Sequence, residues 1–269
     1  MVLIFFQRGV IMQLWTPAHV RTLLPAVIIM VIAAVALRYL LAGKSDKVRR
    51  IPLQIVAVCI LLLEIAKQTI SMVRGYDLYH IPLHFCSLLI LMLPLMAFYN
   101  GKHRQNVRAI GSVYAMSVFL LTIIYPDLIY GAYNIEHFFD DFFSFHTVAF
   151  HNIALFAYLL ILMLELYTPG SAAEQKPVTL ATLTYCVIGA TAAQLLKTNF
   201  NNFYQCNIAP LEQVRQSLQG VLGAGLTQVL YVLIVITLDL AFVVGCYWLH
   251  RLLSRCVSKL LPLRTKVTN

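Results

Sequence analysis

The groups best suited to chemistry in this sequence gather around Cys86. It stands in the stretch His80-Ile81-Pro82-Leu83-His84-Phe85-Cys86-Ser87, which opens an apolar run continuing to Tyr99. A free thiol has a pKa of about 8.5 and is mostly protonated at neutral pH, so it becomes a nucleophile only when a neighbour takes its proton. Imidazoles stand at His80, His84, His146 and His151, and an ammonium at Lys67 could favour the thiolate. A thiol activated in this way attacks a fatty-acyl ester carbonyl and forms a thioester, from which a lipid hydroxyl or water takes the acyl group. The plainer reading is that cysteine is a small, commonly buried hydrophobe. The chain has six cysteines, Cys59, Cys86, Cys186, Cys206, Cys246 and Cys256, and most of them must be structural.

Helical spacing narrows the pairings. His80 and His84 are four apart and would share a helix face. His84 and Cys86 are two apart, roughly 200° around a helix, so the partner of Cys86 is expected from another element. His146 and His151 are five apart, roughly 140°, so one of them would face Cys86; similar depth in the membrane favours His151. Glu64 and Lys67 are three apart and can pair, which lowers the cost of keeping both charges in a bilayer. The four histidines could also build a metal site, but no compact HExxH or CxxC pattern is present. The chemistry above needs no cofactor. Glu64, Lys67 and Asp239 could instead mark an ion or proton path, although no inverted repeat or matched pair of broken spans accompanies them. A Cys86–Cys206 disulfide, if formed, would remove the nucleophile.

The elements that must position these groups are membrane helices. Sixty per cent of the 269 residues are hydrophobic and 12% are charged, about half the usual charged fraction. The mean hydropathy is +0.79. Seven apolar runs, roughly Leu23–Leu41, Ile51–Val73, Ile81–Tyr99, Val107–Tyr125, Phe143–Tyr167, Val178–Leu196 and Leu226–Leu249, predict an all-α, seven-helix membrane bundle forming one domain over residues 1–269. No cleavable signal pattern is expected at Met1–Phe6, and Met12 offers a second start. Lys and Arg total thirteen on one side, at Lys44, Lys47, Arg49, Arg50, Lys102, Arg104, Arg108, Lys176, Arg251, Arg255, Lys259, Arg264 and Lys266. The other side has five, Arg8, Arg21, Arg74, Lys197 and Arg215. The positive-inside bias then puts the N-terminus outside and the C-terminus inside. The basic balance reflects loops meeting anionic lipid, with no nucleic-acid partner.

With that topology the polar residues fall in the outer half of the bundle: Glu64, Lys67 and Gln68 from span 2, Cys86 from span 3, His146 and His151 from span 5, and Gln194 to Tyr204 at the end of span 6. The segment Pro126–Phe142 is an acidic, aromatic loop. Leu211, Val214, Leu218, Val221 and Leu222 recur at helical spacing and predict a short amphipathic helix on the outer surface.

Three motifs carry a resemblance: Pro82-Leu83-His84-Phe85-Cys86, Phe145-His146-Thr147-Val148-Ala149-Phe150-His151, and Asn199-Phe200-Asn201-Asn202-Phe203-Tyr204 with Pro210-Leu211 beyond it. Together they resemble the YwaF-like bacterial membrane proteins, similar to the eukaryotic transmembrane protein 164 family. The resemblance implies a seven-helix fold and a cysteine-dependent acyltransferase acting on phospholipid. It places the nucleophile at Cys86 and the base at His146 or His151. On this reading His84, Glu64, Lys67, Asn199, Asn202 and Tyr204 bind substrate or support it electrostatically, in a multi-pass protein of the cell membrane. Two other classes compete: a transporter or small-ligand-binding protein using the same polar cavity, and a structural membrane protein without catalysis.

Overall fold

The computed structural model describes residues 15–262. Arg8, Met12, Arg264 and Lys266, which enter the start-site and charge readings, lie outside them. The described residues form helices joined by turns, with no strand among them. In order the helices are α1 (Pro17–Leu40), α2 (Asp46–Arg49), α3 (Ile51–Val73), α4 (Leu88–Phe98), α5 (Arg104–Ile124), α6 (Pro126–Glu136), α7 (Phe142–Met163), α8 (Gln175–Leu196), α9 (Ala209–Leu222) and α10 (Ala224–Leu260). Six helical stretches among the described residues are long and apolar enough to cross a membrane: Pro17–Leu40, Asp46–Val73, Arg104–Ile124, Phe142–Met163, Ala172–Leu196 and Ala224–Leu260. The molecule is a multi-pass membrane protein.

Helices α5 and α7 are the most enclosed of the six, whereas α1 and α10 leave most of their apolar surface uncovered. Helix α7 packs against α1, α3, α5 and α6, and α5 against α4, α6, α7, α8 and α10. Small residues make the close approaches. At Gly111 of α5 an added Cβ would lie 3.2 Å from Met96 Sδ and 3.4 Å from the Met92 carbonyl of α4. Between apolar helices in lipid, close backbone packing of this kind supplies much of the association energy.

The expected span Ile81–Tyr99 is not a full-length helix. Pro82 biases Ile81 to an extended backbone (ψ 131°), and His84 is extended as well (ψ 152°). The chain then turns through a 3-10 segment, Phe85–Ser87, before α4 begins at Leu88. The eleven residues of α4 reach only ~17 Å. The shared helix face expected for His80 and His84, and the opposed faces expected for His84 and Cys86, are therefore absent: none of the three lies on an α-helix. The expected span to Tyr167 also ends earlier. Glu165 adopts a left-handed backbone (φ 50°), with Leu166 N–H donating to the Ile161 carbonyl and Glu165 N–H to the Leu162 carbonyl, which terminates α7. Arg38 caps this end through the Met163 carbonyl, the Leu261 carbonyl and the Glu165 carboxylate.

The expected loop 126–142 is mostly helix α6. It kinks at Gly131 (φ 64°, ψ 141°), a backbone that side-chain-bearing residues rarely adopt. The amphipathic helix expected after span 6 is α9, and Leu211, Val214, Leu218, Val221 and Leu222 are exposed along it.

Candidate functional site

One end of the bundle holds a cavity of about 520 Å³. Its wall is assembled from α3 (Glu64, Lys67), the turns before α4 (Tyr79, His80, His84, Cys86), α5 (Val118, Leu121), α6 (Asp127, Tyr130, Asn134), α7 (Phe143, His146, Thr147, His151) and the segment after α8 (Asn199, Asn201, Asn202, Asn207). Irregular backbone is stable where it lines a polar cavity, and the turns at 78–87 and 199–207 both do so.

Several contacts fix the turn that carries Cys86. Phe85 is buried edge-on against Tyr114 and Tyr185, with ring centroids at 5.5 and 5.9 Å. The Tyr185 hydroxyl donates to the Leu83 carbonyl at 3.0 Å. The His84 ring lies 4.4 Å from Tyr79 and 5.5 Å from Phe200, and its Nε2 is 3.2 Å from the Tyr79 carbonyl. Upstream, His80 Nδ1 is 2.7 Å from Ser71 Oγ, and its ring stacks on Phe143.

Helix α3 contributes a buried charged group. Glu64 Oε1 accepts from Lys67 Nζ at 2.8 Å and from Gln68 Nε2 at 2.7 Å, the i,i+3 pairing expected from the sequence. Its Oε2 lies 3.3 Å from His146 Nε2. Gln68 also donates to the His80 carbonyl at 2.7 Å, which ties α3 to the turn beyond it. His151 is placed differently. Its Nδ1 is 2.7 Å from the Thr147 carbonyl, which can only accept, so Nδ1 carries the proton and Nε2 keeps its lone pair. Tyr130 of α6 meets the His151 ring edge-on at 5.8 Å and is itself held by Asn152 Oδ1 at 3.1 Å.

The expected site residues Cys86, His84, His146, His151, Glu64, Lys67, Asn199 and Asn202 are thus brought to one cavity. Both span-5 histidines reach it, where helical spacing pointed to one. Among the described residues no hydrogen bond joins Cys86 to either of them in this conformation. Tyr204 is not part of the cavity wall. Much of the amide segment is occupied in shaping the chain. Asn201 and Asn202 take left-handed backbones (φ 48° and 61°), which asparagine tolerates better than most residues. Asn199 Oδ1 accepts from the amides of Tyr204 and Gln205, and Asn202 Oδ1 from that of Asn207. Asp239 meets Asn201 Nδ2 at 2.6 Å and Cys186 Sγ at 3.8 Å, and so sits behind the wall, apart from Glu64. Cys86 and Cys206 are both free thiols. Among the described residues no group of three or more His, Cys, Asp or Glu is arranged to hold a metal ion.

Sequence reasoning missed the contribution of α6. Tyr130 and Asn134 were visible four residues apart, but the acidic, aromatic stretch around them reads as a loop.

A family model, that of the TMEM164 family, matches residues 14–247. The chain belongs to the TMEM164 family. The match runs from before α1 into α10 and so takes in every segment that lines the cavity. No curated protein and no solved structure matches the chain.

Proposed function

We propose that this protein is a membrane-embedded, cysteine-dependent acyltransferase or acyl hydrolase acting on lipid, with Cys86 as nucleophile and His151 as base. One observation carries the reading: Cys86 shares a cavity with a histidine whose Nδ1 is committed to the Thr147 carbonyl, which leaves Nε2 able to accept a proton. His146 is the weaker candidate for base because its Nε2 already faces the Glu64 carboxylate. Cys86 Sγ attacks the carbonyl carbon of a fatty-acyl ester while its proton passes to His151 Nε2. The tetrahedral intermediate expels the lipid oxygen, which takes that proton and leaves a thioester. A second lipid hydroxyl, or water, then gives its proton to His151 and attacks the thioester, and the thiolate leaves and is reprotonated. The Lys67 ammonium, His84 and the amides of Asn199 and Asn202 surround the reacting groups, with Tyr204 supporting the segment from behind.

The reading places the protein with the YwaF-like bacterial members of its family, in the cell membrane, acting on phospholipid. Its topology has seven spans with the N-terminus outside, α4 and its preceding turns serving as a short third span. A transporter or small-ligand binder using the same cavity would rely on Glu64 and Asp239. Glu64 Oε1 is already held by Lys67 and Gln68, which favours the enzyme.

The test is labelling of the purified chain in lipid by an acyl-mimetic thiol-reactive probe. Labelling concentrated at Cys86, abolished by Cys86→Ala and slowed about 100-fold by His151→Ala, is expected. Equal labelling of several cysteines, unchanged in His151→Ala and His146→Ala, would overturn the reading.

A further inference from the structure

The end of the bundle opposite the cavity concentrates positive charge in a way that helix capping does not explain. Arg50 and Arg108 converge on a single carboxylate, Asp46, with Arg49 next to Arg50 in the chain. Arg108 donates to Asp46 Oδ2 at 2.9 Å, Arg50 Nε lies 3.3 Å from the same oxygen, and Arg49 is close enough to act on it electrostatically. Two cations therefore pair with one anion, and a third stands nearby. The side chains of Arg50 and Arg108 are only 9% exposed, whereas Asp46 is 37% exposed, so the cluster opens toward solvent through its carboxylate.

The donors outnumber the acceptors. Arg50 donates to Asn100 Oδ1 at 2.8 Å, and Arg49 to the Leu164 carbonyl at 3.0 Å. The Nε atoms of Arg49 and Arg108 are nonetheless buried without a hydrogen-bond partner, and that of Arg50 has only its 3.3 Å ion pair with Asp46. A buried guanidinium lacking a counter-charge or acceptor is costly, and three around one carboxylate leave a net charge of about +2 to be neutralised. The mouth is basic too. Lys47 follows Asp46, Lys102 lies two residues past Asn100, and Arg104 is one helical turn before Arg108; all three are exposed. Helix α5 begins here with no side-chain cap, so its first N–H groups add to the positive potential.

We infer that Arg49, Arg50 and Arg108 form a binding site for a phosphate-type anion, supplied by the headgroup of an anionic lipid or by a soluble phosphate, with Asp46 as its competitor and gate. Planar guanidinium groups match phosphate oxygens in pairs, and an incoming phosphate would supply the acceptors the cluster lacks. The site is separate from the cavity and independent of its chemistry.

The experiment measures thermal unfolding of the full chain in neutral detergent against increasing short-chain phosphatidic acid, inorganic phosphate, or short-chain phosphatidylcholine as a control. Phosphatidic acid is expected to raise Tm where phosphatidylcholine does not. A parallel rise with inorganic phosphate identifies a general phosphate site, a rise with phosphatidic acid alone a lipid-headgroup site, and a rise with inorganic phosphate alone a site for soluble phosphate. Asp46→Asn removes the competitor and should lower the half-saturating concentration about tenfold. A purely structural Asp46 would lower the starting Tm without tightening anion binding. The exposed triple variant Lys47→Gln, Lys102→Gln and Arg104→Gln leaves the buried cluster intact and should raise the half-saturating concentration, which keeps the proposal testable if Asp46→Asn fails to fold. No anion-dependent shift in the wild-type chain or either variant, or weaker binding in Asp46→Asn, would overturn it.

Discussion

Glu64 shows how a charged residue persists inside an apolar bundle. Its Oε1 accepts from Lys67 and Gln68, and its Oε2 lies 3.3 Å from His146 Nε2, so the negative charge is met chiefly by Lys67 and Gln68. Removing one member of a buried pair costs more than removing both, because the survivor is left uncompensated. Glu64→Leu should therefore lower stability by about 3 kcal/mol, and the double change Glu64→Leu with Lys67→Met should recover most of it, as followed by denaturant unfolding in detergent.

Among the helices, the close contact between α4 and α5 sets where the cysteine sits. Gly111→Leu would drive a side chain into Met96 and the Met92 backbone, displacing α4 and with it the turn at Cys86. It should destabilise by about 1–3 kcal/mol and reduce Cys86 labelling without touching a cavity residue. Helix α9 is held by charge: Glu212 accepts from Arg215 and from the Cys206 amide. Arg215 holds the Glu212 carboxyl down at about 2, and the Cys206 amide and Gln216 add to this. That contribution is full above pH 4.5 and fades as pH falls through about 2. Glu212→Gln should therefore loosen α9 at neutral pH, seen as faster proteolysis at Arg215, and should lessen the effect of acid. Much of this level was legible beforehand. Apolar periodicity located α9, and helix-length runs located α3, α5 and α8. The third expected span misled because hydropathy registers the apolar character of Ile81, Leu83 and Phe85 but not the extended backbone that Pro82 and His84 adopt. Helix α6 was hidden for the opposite reason: its acidic and aromatic residues mimic a loop while Tyr130 packs inward. Of the site, charge and topology brought Glu64, Cys86, His146 and His151 to one region, but no periodicity could show how His146 and His151 divide their partners.

Taken whole, the molecule has a cavity at one end and an arginine cluster at the other, joined by α3, α4, α5 and α7. If the basic end is the inner one, cysteines introduced by Arg104→Cys and Gln216→Cys in a chain stripped of its native cysteines should label from opposite faces of a sealed vesicle with an impermeant reagent. Labelling of both from one face would reject the proposed orientation. The brevity of α4 also bears on how the chain is made. The apolar segment Phe85–Phe98, fourteen residues with Pro94 inside its helix, falls short of what partitions into a bilayer unaided. Its place depends on α3 and α5, which flank it in sequence and pack against it. A lasting place for α4 in the bilayer is therefore expected only once α5 has been made and has packed against it. A chain truncated after residue 103 would leave α4 at the membrane surface and the thiol exposed to water.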